Sequence, residues 1–227
     1  MQPVAFFDID GTLFRSSLLI SLVEAMIGAE VFSSNIRQDY QQEKVAWQDR
    51  EGTYEAYIDS LVQAFLKNLQ GVHYGDLADV GRRVVVKEGR HVYRYTRDLI
   101  KRLKQEGYYI VAISQSPKTI LDEFCDEYGF DKVYGRMYEI GPQDRFTGKV
   151  IDEHLITNKA NIVHRVCKHQ PVDREQTLAV GDTDGDIPLL EAVTDPICFN
   201  PNQKLYDHAK RRQWSVVVER KDVIYTL

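Results

Sequence analysis

Cysteine is scarce in this 227-residue chain, and the three present, Cys125, Cys167 and Cys198, are widely and irregularly spaced. That pattern suggests neither a disulfide framework nor a structural zinc site, and it makes the cytoplasm the expected compartment. Charge of one sign is also in short supply. The formal net charge is −5, and the basic clusters Arg82-Arg83 and Lys210-Arg211-Arg212 are short and isolated, which reads as solvated helix faces and leaves no nucleic-acid partner expected. No long apolar run exists. The most apolar early segment, Leu18 to Ile27, is broken by Ser21 and Glu24 and follows acidic residues rather than a basic stretch, so neither a signal peptide nor a membrane span is expected. There is no Gly-x-Gly-x-x-Gly, no Walker-type loop and no His-Glu-x-x-His, which removes support for dinucleotide, NTPase and zinc-protease chemistry. His164, Cys167 and His169 lie close together, but on an amphipathic helical stretch without a second ligand cluster, so they are not taken as a metal site.

What the chain does have is an α/β rhythm. Short apolar runs, Val4 to Phe7, Tyr109 to Ile113, Thr177 to Val180 and Ile197 to Phe199, alternate with longer amphipathic stretches, as in domains built on a parallel sheet. Trp214 to Val218 is expected to add an edge strand. Between the first strands, Val92, Tyr95, Leu99 and Leu103 fall three to four apart and Gly107 closes the segment, the pattern of a helix. At 227 residues the chain can bury roughly 70% of its unfolded surface.

About a hundred residues separate the first two strands, far more than a crossover needs. Inside that connection Leu18, Leu19, Leu22, Val23 and Met26 form one apolar stripe, and Tyr54, Tyr57, Ile58, Leu61, Val62, Phe65, Leu66 and Leu69 form another. A helical unit over residues 15–87 is expected there, inserted into an α/β core made of residues 1–14 and 88–227.

The chemistry concentrates at strand ends. In Val4-Ala5-Phe6-Phe7-Asp8-Ile9-Asp10-Gly11-Thr12-Leu13 an apolar strand runs into two carboxylates at i and i+2, which share a face. Ile110 to Ile113 ends in Ser114-Gln115-Ser116, Lys159 lies in a helical stretch from Thr157 to Val166, and Ala179-Val180-Gly181 runs into Asp182-Thr183-Asp184-Gly185-Asp186. Strand ends of one parallel sheet border a common crevice, where open α/β sheets bind ligands. Four carboxylates gathered there, Asp8, Asp10, Asp182 and Asp186, would repel by roughly 4 kcal/mol per pair at about 4 Å and an effective dielectric near 20. A hard divalent cation relieves this, and all-oxygen ligands favour Mg²⁺ over zinc. Asp186 also precedes Pro188 and the apolar run Ile187 to Val193, so it reads as a helix N-cap as well.

Taken in order, these segments resemble the four motifs of the haloacid dehalogenase superfamily: Asp8-Ile9-Asp10-Gly11-Thr12, then Ser114, then Lys159, then Gly181-Asp182 with Asp186. The insertion between the first and second motifs resembles the cap of the phosphoserine-phosphatase-like branch (subfamily IB). The resemblance implies a Rossmann-like, doubly wound, mainly parallel sheet with a helical cap after the first strand. It further implies a Mg²⁺-dependent phosphomonoesterase acting on a small phosphorylated metabolite. Asp8 would be the nucleophile forming an aspartyl-phosphate, and Asp10 the acid and later the base. Ser114 and Lys159 would hold the phosphoryl group together with backbone amides around Gly11 and Thr12. Asp8, Asp10 (through its carbonyl), Asp182 and Asp186 would hold the metal, with Asp184 the competing choice for the last position. An acid at Asp10 separates the phosphatases of this superfamily from its dehalogenases.

Two other readings use the same residues: a phosphotransferase or phosphomutase working through the same intermediate, and a metal-dependent binding module without turnover. Phosphoserine phosphatases carry a glutamate shortly after the first motif and a cap arginine; here the first stretch reads Phe14-Arg15-Ser16-Ser17 and Tyr54 to Gln70 contains no arginine, so phosphoserine is disfavoured as substrate. Arg15 is left between recognition of an anionic or hydroxyl-rich substrate and an ordinary surface role. Nothing in the sequence specifies an oligomeric state.

Overall fold

A computed structural model describes all 227 residues. Along the chain the elements are β1 (Gln2–Asp8), α1 (Leu18–Gly28), α2 (Gln41–Gln48), α3 (Tyr54–Leu69), α4 (Tyr74–Glu88), α5 (Arg94–Gln105), β2 (Tyr109–Pro117), α6 (Lys118–Tyr128), β3 (Lys132–Ile140), β4 (Phe146–Ile151), α7 (Glu153–Thr157), α8 (Ala160–His169), β5 (Val172–Gly181), α9 (Ile187–Glu191), β6 (Asp195–Phe199), α10 (Gln203–Arg212), β7 (Ser215–Arg220) and β8 (Val223–Thr226). No helix is long and apolar enough to cross a membrane.

The eight strands form one sheet in the order β4-β3-β2-β1-β5-β6-β7-β8. The six inner strands are parallel, and β4 and β8 pair antiparallel at the two edges. From β1 the chain steps outward to β2 and β3 on one side, then returns to β5 and steps outward to β6 and β7 on the other. The direction of winding therefore reverses between β1 and β5, and the crevice outside the carboxyl ends of those strands is the natural ligand site of such a sheet. The α/β, mainly parallel class read from the sequence is the observed one. One detail differs: the Trp214–Val218 segment contributes β7, an inner strand, because β8 folds back on it and takes the edge.

Alternation along β1 sorts the core into two layers. Ala5 and Phe7 face a cluster with Leu22, Met26, Leu61, Phe65, Val80 and Val84 from the helices between β1 and α5, whereas Val4 and Phe6 face Ile162, Val163, Leu189, Leu205 and Ala209. The long insertion thus packs directly on the sheet rather than standing apart from it. Within the first layer α4 lies against α6 and α3 against β4. Phe146 at the start of β4 exchanges backbone hydrogen bonds with the α3–α4 connection, from Gly71 N–H at 2.8 Å and to Val72 O at 2.9 Å. This ties the helical segment to the β3–β4 hairpin.

Candidate active site

Asp8 ends β1, Ser114 lies near the end of β2 and Asp182 follows β5 directly. Neighbouring strands in register bring these three far-separated positions to one sheet edge. One ligand oxygen each from Asp8, Asp182 and Asp186 lies within 4.8 Å of the others. Together with Asp10, Lys159, Gln115, Ser116, Thr183 and Asp184 from the core, and Ser17, Leu19, Tyr54, Glu55, Ile58, Asp59 and Val62 from the inserted helices, Asp8 and Asp182 line a cavity of about 300 Å³. A larger open depression, of about 570 Å³ and lined by Glu191, Thr194, Asp195, Arg212 and Trp214 among others, contains none of these residues.

Lys159 is the counterion of the cluster. Its Nζ donates to Asp8 Oδ1 at 2.6 Å and to Asp186 Oδ1 at 2.5 Å, with the lysine side chain 8% exposed. The helical stretch expected over Thr157–Val166 is interrupted at Asn158, whose extended φ of −125° ends α7 and lets α8 start at Ala160, with Lys159 at its N-cap. A cation at a helix N-terminus is opposed by the helix dipole, and the two carboxylates offset that. Burial alone would depress the Lys159 ammonium; Asp186 and Asp8 outweigh it and raise its pKa, keeping it charged.

Asp8 is buried, and its Oδ2 has no hydrogen-bond partner. Burial pushes its pKa up to about 7 against the pull of Lys159, with Asp186 and Asp10 adding repulsion. Asp182 is raised for the same reasons, burial first and then Asp8 and Asp186. Ionised together, these three carboxylates would carry more negative charge than the one ammonium balances. A buried carboxylate oxygen left unpartnered costs free energy, and the set of donors is entirely oxygen: it fits a hard dication.

Asp10 is oriented by three donors. Its Oδ1 accepts the Leu18 N–H at 2.6 Å, capping α1 from eight residues away, since Ser17 at the N-cap position makes no side-chain cap. Its Oδ2 accepts from the Ser114 hydroxyl and, at 2.8 Å, from the Ser116 hydroxyl. Burial raises the Asp10 pKa while these hydrogen bonds lower it, burial prevailing. Ser116 was not singled out from the sequence; its position two residues after Ser114 on the same strand, hence on the same face, is the signal that could have found it.

Gly11 and Thr12 are placed differently from the expectation that their amides face a phosphoryl group. The Gly11 N–H donates to Phe14 O and Ser16 O, and the Thr12 N–H to Ile9 O, all inside the turn after β1. Thr12 is fully buried and its hydroxyl donates to Asp182 Oδ1 at 3.2 Å. Gly11 has φ +87°, and a Cβ there would collide with the Asp182 carboxylate. These two residues shape the acidic cluster from behind. Ser114 lies at the site, its hydroxyl given to Asp10 and accepting the Ser116 N–H at 2.8 Å.

Asp186 is 1% exposed, and its Oδ2 accepts the N–H groups of Asp182 and Thr183 at 3.0 and 3.1 Å. The side chain folds back to brace the loop after β5, although the residue also occupies the N-cap position of α9. Gly181 is required by the same brace: a Cβ there would stand 2.6 Å from Asp186 Cβ. Asp184 instead binds Asn202 Nδ2 at 2.7 Å and Lys204 Nζ at 3.2 Å and lies outside the three-carboxylate group. Arg15 does not line the cavity, and its guanidinium lies 5.4 Å from the Tyr93 ring centre.

Residues 5–191 match the family model described as haloacid dehalogenase-like hydrolase. The chain belongs to that family. Among its relatives is a phosphoserine phosphatase of Archaeoglobus fulgidus, 27% identical over 207 residues, covering 89% of this chain and 54% of the relative, so the chain spans about half of that protein's length. A histidinol-phosphatase of Neisseria meningitidis serogroup C is 24% identical over 225 residues, covering 96% of this chain and 99% of the relative. A solved structure described as a phospho-aspartyl intermediate analogue of phosphoserine phosphatase superposes with a TM-score of 0.63 at 20% identity, covering 97% of this chain and 95% of that one. The phosphoserine-phosphatase-like branch of the family has the mixed α/β fold with a mostly parallel sheet seen here.

Proposed function

We propose that the protein is a Mg²⁺-dependent phosphomonoesterase acting on a small phosphorylated metabolite, with residues 15–87 as the cap that selects the leaving group. The observation that carries this reading is the state of Asp8: one oxygen is held by Lys159, and the other is buried without a partner in the wall of a cavity of about 300 Å³. A carboxylate so placed is oriented for attack yet not consumed by the protein's own hydrogen bonds.

Asp8 forms an O–P bond to the phosphoryl group as the bond from phosphorus to the leaving oxygen breaks, and Asp10 gives its proton to that oxygen. Water then attacks phosphorus, Asp10 takes the proton, and the bond to Asp8 breaks, releasing phosphate and restoring both carboxyl groups. General acid and base catalysis supplies only about 10² to 10⁴ in rate, whereas phosphate monoester hydrolysis can need acceleration approaching ~10²¹. Electrostatic stabilisation carries the larger share. Asp8, Asp182 and Asp186 are the residues that would hold Mg²⁺, with the Asp10 carbonyl beside them, and bound there it supplies positive charge to the transferring phosphoryl oxygens. Lys159 contributes a fixed point charge at Asp8, while Ser114 and Ser116 hold Asp10 in its acid–base position.

The test is phosphate release from p-nitrophenyl phosphate with and without Mg²⁺. Turnover that requires the metal and disappears in Asp8→Asn is the expected result; robust turnover by Asp8→Asn would remove Asp8 as nucleophile.

A further inference from the structure

The end of β2 departs from regular pairing. Ile113 lies opposite Tyr134 and Pro117 opposite Arg136, so Ser114, Gln115 and Ser116 stand against the single residue Gly135 of β3. A bulge of this kind re-aims side chains beside a functional site. Gln115 and Ser116, consecutive in the chain, both line the cavity, which the alternation of a regular strand would not allow. Gln115 thus enters the wall between the two serines whose hydroxyls hold Asp10.

Arg136 decides which way the Gln115 amide points. The arginine is 9% exposed, its Nε is buried without a partner, and its Nη2 donates to Gln115 Oε1 at 3.0 Å. Withdrawing a guanidinium this far from water is costly unless its hydrogen bonds compensate, and the bond to Gln115 is the one it makes here. A guanidinium has five donors and no acceptor. The amide oxygen must therefore face Arg136, and the amide nitrogen, with both its N–H groups, is the end turned from it. A cation on the carbonyl oxygen also polarises the amide and strengthens those N–H groups as donors.

Donors are scarce on this wall. Six of the 16 lining residues are acidic, Lys159 is committed to Asp8 and Asp186, and the Ser116 hydroxyl is committed to Asp10. We infer that Gln115 is a specificity-determining residue whose Nε2 donates to an oxygen of the leaving group, with Arg136 as the positioning residue that fixes the amide in that sense. The inference rests on the phosphomonoesterase reading above and adds the residue that reads the leaving group from the sheet side of the cavity. On that reading Asp10 gives its proton to the leaving oxygen, and Gln115, flanked by the residues that orient Asp10, stands on the leaving side of phosphorus. A group with an oxygen in reach gains a hydrogen bond, whereas a methylene in the same place leaves the donor unpaired, and a site built to donate discriminates against it.

Two pairs of esters test it: 2-methoxyethyl against n-butyl phosphate, and 3-methoxypropyl against n-pentyl phosphate. Within each pair an ether oxygen, which accepts but cannot donate, replaces one methylene. With Mg²⁺ present, the kcat/KM ratio of ether to alkyl ester is expected to fall about fivefold or more in at least one pair on going from the parent protein to Gln115→Glu, the size of one hydrogen bond. That variant keeps an oxygen toward Arg136, and hence the wall in place, but offers the ether a second acceptor where the N–H groups were. In Arg136→Met the amide is free to turn, and the same ratio should fall by a smaller factor; an arginine with a merely structural role would lower both members of a pair alike. Ratios unchanged in Gln115→Glu for both pairs overturn the specificity assignment, and ratios unchanged in Arg136→Met overturn the positioning role. If p-nitrophenyl phosphate is not hydrolysed, the phosphatase reading fails, and calorimetric titration of the same esters in Mg²⁺ decides the inference separately. A fall in the ether-to-alkyl affinity ratio in Gln115→Glu then supports it; an unchanged ratio, or no binding of any ester, overturns it.

Discussion

Lys159 Nζ stands 2.5 Å from Asp186 Oδ1, joining the start of α8 to the loop after β5 inside a buried cluster of acids. Neither group is placed by its own helix for stability: the lysine opposes a helix dipole and the aspartate is almost wholly out of water. Each is tolerated because of the other.

Replacing Lys159 by Met is therefore expected to destabilise the metal-free protein by about 3–5 kcal/mol, the cost of stripping a buried ion pair of one partner. At roughly 2–4 °C per kcal/mol for a chain of this size, a thermal melt resolves the loss easily. Mg²⁺ should restore more stability to the variant than to the parent, because it supplies the missing positive charge. A variant that melts with the parent protein would show that the ammonium does not hold the cluster together.

Mg²⁺ itself is expected to raise the melting temperature of the unaltered protein. A ligand at a hundred times its dissociation constant stabilises the folded state by about 2.7 kcal/mol, and Asp182→Asn should remove most of the rise. The comparison is a pair of melts with and without the cation, and an equal rise in Asp182→Asn would place the ion elsewhere.

Gly11→Ala tests the turn behind the acidic cluster. The residue would have to hold φ near +87° with a methyl group driven into the Asp182 carboxylate. About 1–2 kcal/mol of backbone strain is expected from the conformation alone, and displacement of Asp182 should weaken Mg²⁺ binding measured by calorimetry. Unchanged affinity would mean that Asp182 has no role in holding the ion.

Ser116→Ala removes one of the three donors that orient Asp10. A hydrogen bond to a charged group is worth about 1.5–3 kcal/mol, so kcat is expected to fall at least about tenfold while KM moves little, since the proposed mechanism has Asp10 act on the leaving oxygen during the chemical step. A change confined to KM would instead assign Ser116 to substrate binding.

Much of this arrangement was legible in the sequence for a physical reason: strand ends that carry carboxylates cannot be hidden by composition. Val4 to Phe7, Tyr109 to Ile113, Thr177 to Val180 and Ile197 to Phe199 all lie within observed strands, because buried parallel strands read as unbroken apolar runs. β3, with Gly135 and Arg136 in its middle, and β4, with Gly148, lack that signature and were not seen. Their pairing depends on packing against α6 and α3, which no local pattern encodes. Lys159 was found by its place in the order of motifs, but its position at a helix break was not, since Asn158 and Lys159 disturb no periodicity. The Gly11 and Thr12 N–H groups bond within the turn, and this is not legible for a related reason: a sequence shows that a glycine bends the chain, not where its N–H points.

The inserted helices and the sheet share one cluster of 40 buried residues, and that bears on how this enzyme can be taken apart. Excising residues 15–87 would leave Ala5, Phe7, Ala112 and Val180 bare on one face of the sheet. A trimmed catalytic half would not be a smaller hydrolase but an insoluble one. Any exchange of residues along the cavity face of α3 has to leave its underside, with Tyr57, Leu61 and Phe65, as it is.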